Sequence, residues 1–179
     1  MMTNEYVYSI TAPALTDMLL PGVEEKLFIN TDRITYKSVP AKTLIKEEFL
    51  TWNNIEWQEV LIFHKTNNFI GRLHVDSTDK LAWGINWIYS GVGTLKYWEK
   101  SQIKSSISKV DEEGYLIYVY KTDELPAKEY NLTIGTYLVN ASIPHLPSGN
   151  NGRYAFSLRP GKFDMTWEEV KTKFQHLML

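Results

Sequence analysis

The chain has 179 residues, of which 44% are hydrophobic and 13% are aromatic, and these figures suit a single domain with a sizeable core. Its formal net charge of −2 gives no support for nucleic-acid binding, because no basic surplus is available to neutralise phosphates. The absence of cysteine excludes disulfides, thiolate zinc sites and cysteine nucleophiles, so any metal site must use histidine, carboxylate and water.

The N-terminal part of the chain has no basic, apolar leader pattern, and no apolar run approaches the roughly 20 residues that span a membrane. A cytoplasmic protein without a membrane partner is therefore expected. In residues 1–40, short apolar runs are punctuated by proline and glycine, which predicts extended segments and turns. Between residues 41 and 52, apolar residues recur at helical spacing and predict a short surface helix.

From residue 56 onward, short aromatic and β-branched runs alternate with turn signals about every ten residues, which is typical of a sandwich or barrel. The strands are predicted at residues 59–64, 69–75, 81–89, 94–98, 115–120, 130–134, 137–143 and 153–158. The sequence thus predicts one domain with three parts, which are an N-terminal extension and helix (1–55), a β core (56–160) and a C-terminal helix (161–179).

The C-terminal helix is predicted from a capping box, in which Thr166 and Glu169 satisfy free amides at the helix start. An apolar stripe follows, and it is formed by Trp167, Val170, Phe174 and Leu177. This stripe predicts packing on the outside of the sheet, and a partner-binding helix is the alternative.

The most informative motif is His74-Val-Asp76. Residues at i and i+2 of a strand point to the same face, so this motif places an imidazole and a carboxylate side by side. Together they make two-thirds of the two-histidine, one-carboxylate triad that binds ferrous iron. A strand-edge histidine beside a surface aspartate is the alternative, since a short H-x-D motif also arises by chance.

A second histidine and two arginines follow much later in the chain. His145 comes directly after Pro144 and is predicted to begin a loop at the end of a strand. Arg153 and Arg159 lie on the next predicted strand, an even number of residues apart, so both can share one face. Guanidinium groups bind carboxylates in a bidentate manner, and Arg153 is favoured because it is closer to His145. Surface salt bridges are the alternative for both arginines.

This order of motifs resembles the Fe(II)/2-oxoglutarate-dependent oxygenase superfamily, in particular its small phage and marine-microbial oxygenase-like branch. The similar segments are residues 73–76, 83–87, 93–99, 139–145 and 153–159. The resemblance implies a mainly β double-stranded β-helix, which is a jelly-roll, cupin-like fold, with flanking helices. The spacing from His145 to Arg153 is slightly shorter than is usual in the family, which keeps Arg159 as an alternative cosubstrate ligand.

The resemblance further implies that His74, Asp76 and His145 bind Fe(II), and that 2-oxoglutarate is held at its far carboxylate by Arg153 or Arg159. Such an enzyme couples decarboxylation of the cosubstrate to hydroxylation of a C–H bond, with a small molecule or a peptide as substrate.

Three further residues are weaker candidates for the site. Asn86 lies in an apolar strand and is expected to contact the cosubstrate or to satisfy a backbone group, and Tyr97 is a similar candidate. His64 precedes the motif by one strand and is expected to be structural. An exposed aromatic face would also support a homodimer. The alternative to the enzyme is a cupin-like or phage-type jelly-roll protein that has a binding or structural role without catalysis.

Overall fold

The structure, a computed structural model, describes residues 5–23, 35–65, 68–76, 81–110, 116–150 and 152–179. Within these ranges the protein is mainly β and forms two antiparallel sheets. The strands, in chain order, are β1 (Val7–Ser9), β2 (Thr35–Pro40), β3 (Trp57–Lys65), β4 (Phe69–Ile70), β5 (His74–Val75), β6 (Trp83–Ser90), β7 (Gly93–Tyr97), β8 (Ser105–Val110), β9 (Leu116–Lys121), β10 (Lys128–Leu132), β11 (Gly135–Asn140), β12 (His145–Gly149) and β13 (Arg153–Pro160). The α-helices in the described ranges are α1 (Leu15–Met18) and α2 (Trp167–Phe174).

The chain passes repeatedly from one sheet to the other, although β1–β3 and β7–β10 are runs within a single sheet. One sheet has six strands in the order β1-β11-β6-β13-β3-β2, and the other has seven, in the order β10-β7-β12-β5-β9-β8 with β4 also paired to β12. The chain therefore crosses from sheet to sheet at β3 to β4, at β5 to β6, at β6 to β7, at β10 to β11, and again on either side of β12. This alternation brings strands that are distant in sequence next to one another.

Two apolar cores lie on the two faces of the six-stranded sheet. The outer core packs that sheet against the helical segments, with Ile85, Phe156 and Phe174 among its fully buried members. The inner core joins the two sheets, and Ile88 of one sheet meets Leu95 of the other there. Strand β13 is buried along its whole length because it contributes to both faces.

The C-terminal helix forms as the sequence predicts. The Thr166 hydroxyl accepts a hydrogen bond from the Glu169 amide at 3.3 Å, and the Glu169 carboxylate accepts one from the Thr166 amide at 2.7 Å. Val170 and Phe174 are buried in the outer core, which confirms that the apolar stripe packs on the outside of the sheet. Neither α-helix in the described ranges has the length and apolar character needed to cross a membrane.

The surface helix predicted over residues 41–52 is wrong. The segment instead forms separate 3₁₀ turns at Ala41–Thr43, Glu47–Phe49 and Trp52–Asn54. The cause is a tertiary one, because Ile45 bridges Leu19 and the Leu20 amide donates to the Leu44 carbonyl at 2.8 Å. Pairing with a distant segment outweighs the weak preference of so short a stretch for a helix.

The single strand predicted over residues 69–75 is also wrong, since β4 and β5 are separated by residues 71–73. At the break the Gly71 amide donates to the Pro147 carbonyl at 2.7 Å, and a side chain at residue 71 would collide with the Pro147 ring. His145 begins strand β12 rather than a loop. Strands β1, β2, β8 and β12 were not predicted, and Tyr115 and residues 24–34 lie outside the described residues.

Truncation of a core leucine tests this arrangement. Leu138 is fully buried in the outer core, whereas Leu125 is 84% exposed. We expect Leu138→Ala to lower the free energy of unfolding by about 2–5 kcal/mol through lost burial and a residual cavity. The matched control Leu125→Ala should change it by less than about 0.5 kcal/mol. Urea denaturation followed by circular dichroism measures both, and equal effects would contradict the fold.

Candidate metal centre

The three predicted metal ligands meet at the junction of β5 and β12. His74 begins β5 and His145 begins β12, and the two residues are direct partners in the antiparallel pairing of these strands. Asp76 follows the end of β5, where its amide donates to the Ala141 carbonyl at 3.1 Å. The two halves of the site, far apart in sequence, are therefore joined by strand pairing.

The ligand atoms lie close enough together to share one metal ion. Asp76 Oδ1 is 3.3 Å from His74 Nε2 and 3.6 Å from His145 Nε2, and all three ligand atoms lie within 4.8 Å of one another. Ligands bound at adjacent positions about 2.1 Å from a metal are roughly 3 Å apart, so both carboxylate-to-histidine distances are close to those around a coordinated ion. The group could thus hold a metal ion.

Backbone carbonyls fix the orientation of both imidazole rings. His74 Nδ1 lies 2.7 Å from the Arg72 carbonyl oxygen, and His145 Nδ1 lies 2.9 Å from the Ile143 carbonyl oxygen. A carbonyl only accepts, so each Nδ1 must carry the proton. In the neutral rings both Nε2 atoms then present a lone pair toward Asp76, as is typical of metal-binding histidines.

The protonation equilibria of the three groups are strongly coupled. Burial opposes charge on His74, but its hydrogen bond to Asp76 and the charge of that carboxylate raise the pKa of the imidazole above its ordinary value. Burial and the charge of His74 lower the pKa of His145 to about 4. Burial opposes ionisation of Asp76 as well, yet Arg159 and the two histidines hold its pKa far below the usual range. Without a metal ion, a proton is shared between the imidazoles and the Asp76 carboxylate. A bound metal ion would take the place of that proton.

Arg159 connects the ligand group to the other sheet. Its Nη2 donates to Asp76 Oδ2 at 2.7 Å, which leaves Oδ1 directed at the histidines. The arginine side chain crosses directly over Gly84, where an added Cβ would lie 2.8 Å from Arg159 Cδ. Any larger residue at position 84 would displace the guanidinium, so this glycine is part of the site although its sequence context gave no sign of it.

Arg153 lies at the other end of β13, away from the ligand group. It is only 7% exposed, and its Nη1 donates to the Ser148 carbonyl at 2.6 Å while its Nε has no partner. Among the described residues no carboxylate lies within ion-pair distance of it. Burial lowers the pKa of this guanidinium, as expected for a buried cation that has no counter-ion in the described part of the chain.

Further polar atoms line the space between the two arginines. Ser157 and Asn86 are direct partners on β13 and β6, and both Ser157 Oγ and Asn86 Oδ1 are buried without hydrogen-bond partners. Arg159 also keeps its Nε and Nη1 unpaired. Buried polar atoms are nearly always satisfied in native proteins, so this group is suited to a polar ligand. Ser157 was missed by sequence reasoning, although its alternation with the arginines on β13 was a usable signal.

The remaining candidates occupy different positions. Tyr97 is fully buried, with its ring centroid 5.7 Å from that of His145, and its hydroxyl donates to the Asn140 carbonyl at 2.9 Å. His64 packs against Tyr154 and is not part of the ligand group.

No protein-family model matches the sequence, and no curated protein matches it significantly.

Titration with Co(II) tests the metal centre directly. We expect wild-type protein to bind one equivalent and to show visible d–d absorption, because two imidazoles and a carboxylate converge on one position. His145→Ala should abolish this absorption, since it removes one of three ligands. His176→Ala is the matched control, because His176 is exposed on the C-terminal turn, and equal loss in both variants would contradict the site.

Proposed function

We propose that this protein is a non-haem Fe(II)/2-oxoglutarate-dependent oxygenase. The observation that carries the proposal is the convergence of three lone pairs, from His74 Nε2, His145 Nε2 and Asp76 Oδ1, on one position. Two histidines and one carboxylate on one side of a metal are the donor set of non-haem iron oxygenases, in which the opposite positions stay open. His74 and Asp76 keep 21% and 26% of their side chains exposed, so a substrate can approach from solvent.

The fold is consistent with the proposal. We infer that the two sheets form a double-stranded β-helix, since the strands alternate between them and the inner core lies between them. In this arrangement the distal histidine and the H-x-D motif occupy neighbouring strands at one end of the space between the sheets. The same placement is compatible with a cupin-like binding protein, so it supports the site and does not select the chemistry.

Arg153 supports a dicarboxylate cosubstrate. A buried cation that has no carboxylate partner among the described residues is suited to bind an anion. His145 and Ser148, whose carbonyl contacts Arg153, are three residues apart on β12, which is about 10 Å along a strand. A keto acid chelated at the metal, its carbon chain and a charge-assisted hydrogen bond together reach roughly 10 Å as well.

The two arginines then have different roles. Arg159 already donates to Asp76, so it orients the metal ligand, while Arg153 is left to bind the distal carboxylate. Ser157 and Asn86 offer unpaired oxygens between them that can position the bound cosubstrate.

When bound, the iron and 2-oxoglutarate supply the oxidising chemistry, with decarboxylation to succinate and hydroxylation of a C–H bond. The chain itself holds and orients these groups, and the inner core excludes water from their buried side. We propose a small molecule or a peptide as the substrate, and a cytoplasmic protein that is active alone or as a homodimer. A binding protein on the same scaffold is the alternative, and formation of succinate distinguishes the two.

Anaerobic binding of Fe(II) and 2-oxoglutarate tests the function. We expect a weak metal-to-ligand charge-transfer absorption in wild-type protein, because the keto acid chelates iron at its open positions. The absorption should be absent in His74→Ala and retained in His64→Ala. If wild-type protein binds no stoichiometric iron and shows no absorption, the oxygenase proposal is excluded.

The separate roles of the arginines give a second test. We expect Arg153→Gln to weaken 2-oxoglutarate binding about 10- to 100-fold, as loss of a charged hydrogen bond typically costs about 1.5–3 kcal/mol. Iron affinity should be unchanged. Arg159→Gln should instead weaken iron binding, because it frees the Asp76 carboxylate. Titration of the charge-transfer absorption measures both.

An analogue sharpens this test. 2-Oxopentanoate has the same carbon chain but lacks the distal carboxylate, so its affinity should be equal in wild type and Arg153→Gln. A loss of affinity for both keto acids would show that Arg153 acts on the fold of the site and does not bind the carboxylate.

A further inference from the structure

A continuous row of aromatic rings leads from the metal ligand His145 toward the edge of the domain. The Tyr97 ring centroid is 5.7 Å from that of His145, and the Tyr6 ring centroid is 4.9 Å from that of Tyr97. All three side chains are buried, so the contacts between their rings are not interrupted by solvent. Such contacts provide a route for an electron between the surface and the metal centre.

The two tyrosines differ in where their phenolic protons can go. The Tyr97 hydroxyl donates to the Asn140 backbone carbonyl, which is a very weak base. The Tyr6 hydroxyl donates to Glu99 Oε1 at 2.5 Å, and Glu99 is exposed and can pass a proton to water. Oxidation of a phenol is much easier when its proton leaves with the electron. Tyr97 is therefore suited to relay an electron, and Tyr6 is suited to supply it.

The neighbouring Lys128 makes Glu99 more important as the proton acceptor for Tyr6. The Lys128 ammonium group is 5.6 Å from the centroid of the Tyr6 ring. A cation in this position is attracted by the electron-rich face of a neutral ring and disfavours positive charge on it. Loss of an electron from Tyr6 is therefore favoured when its proton moves to Glu99 in the same step.

A possible branch at Tyr130 is less suited to the same role. Its ring is 5.7 Å from Tyr97 but nearly perpendicular to it, at 88°. Its hydroxyl donates to Glu5, and Lys128 is already paired with that carboxylate at 2.9 Å. This ion pair lowers the pKa of Glu5 further than the hydrogen bond from Tyr130 alone would, which makes it a poorer proton acceptor.

We propose that Tyr6, Tyr97 and Glu99 form a protective electron-transfer path that discharges the metal centre when it is oxidised without substrate. This inference rests on the proposed oxygenase function. In the step, the oxidised metal centre gains one electron through the Tyr97 ring, Tyr6 loses that electron and becomes a neutral radical, and its proton moves to Glu99. A small-molecule thiol at the surface then supplies an electron that reduces the Tyr6 radical, and Glu99 returns its proton to Tyr6. The thiol becomes a thiyl radical and its own proton goes to water.

The test is electron paramagnetic resonance of protein loaded with Fe(II) and 2-oxoglutarate and mixed with oxygen in the absence of substrate. Iron stoichiometry and the charge-transfer absorption are measured first in every variant. We expect a tyrosyl radical in wild-type protein, and its loss in Tyr6→Phe, Tyr97→Phe and Glu99→Gln. Tyr89→Phe should keep the radical, because Tyr89 contacts Tyr154 and lies outside the row.

The outcomes separate this inference from the proposed function. If iron and 2-oxoglutarate bind but wild-type protein gives no radical, or if the radical persists in Tyr6→Phe, the path is excluded and the oxygenase assignment stands. If neither iron nor 2-oxoglutarate binds, both are excluded. Glu99→Gln is the mildest of these variants, since glutamine keeps an oxygen that accepts from Tyr6 but cannot take up its proton, and an undiminished radical in this variant would also overturn the proposal.

Discussion

The site depends on the ion pair between Arg159 and Asp76. This pair joins the end of β13, in the six-stranded sheet, to the end of β5, in the other sheet. The two oxygens of the Asp76 carboxylate have different contacts. Oδ2 accepts a hydrogen bond from Arg159, and Oδ1 faces the two histidines. A buried pair of this kind contributes little net stability, since desolvation offsets most of the Coulombic attraction. Its importance therefore lies in orientation, and Gly84 provides the space that it needs.

The charges between the sheets are unequally compensated. Arg159 has its counter-ion in Asp76, whereas Arg153, on the same face of the same strand, has none among the described residues. A buried, uncompensated cation destabilises the ligand-free protein, and an anion that binds only the folded state recovers that free energy. The space between the sheets thus has a group that could hold a metal ion at one end and a buried guanidinium without a described counter-ion at the other.

The sequence could predict the site better than the fold around it. His74 and Asp76 were recognisable because side chains two residues apart in a strand point to the same face. Residues 41–52 were misread because their burial comes from pairing with Leu19 and Leu20, which lie in a distant segment. The break after Ile70 was equally hidden, since it depends on the approach of Pro147 from another strand. Local sequence patterns thus predicted the side-chain direction within a strand. The element boundaries that depend on contacts with distant segments could not be predicted from them.

The metal centre shows how these two levels combine. Each histidine ring is oriented by the backbone carbonyl two residues before it, which is that of Arg72 for His74 and that of Ile143 for His145. The two short segments thus orient their imidazoles through the same local hydrogen bond. Strand pairing has only to bring the two units into register. That pairing is short, because β5 has two residues and meets β12 at His74 and His145 alone. A bound metal ion would cross-link β5 and β12 where they pair, so it would reinforce a junction that consists of one residue pair among the described residues.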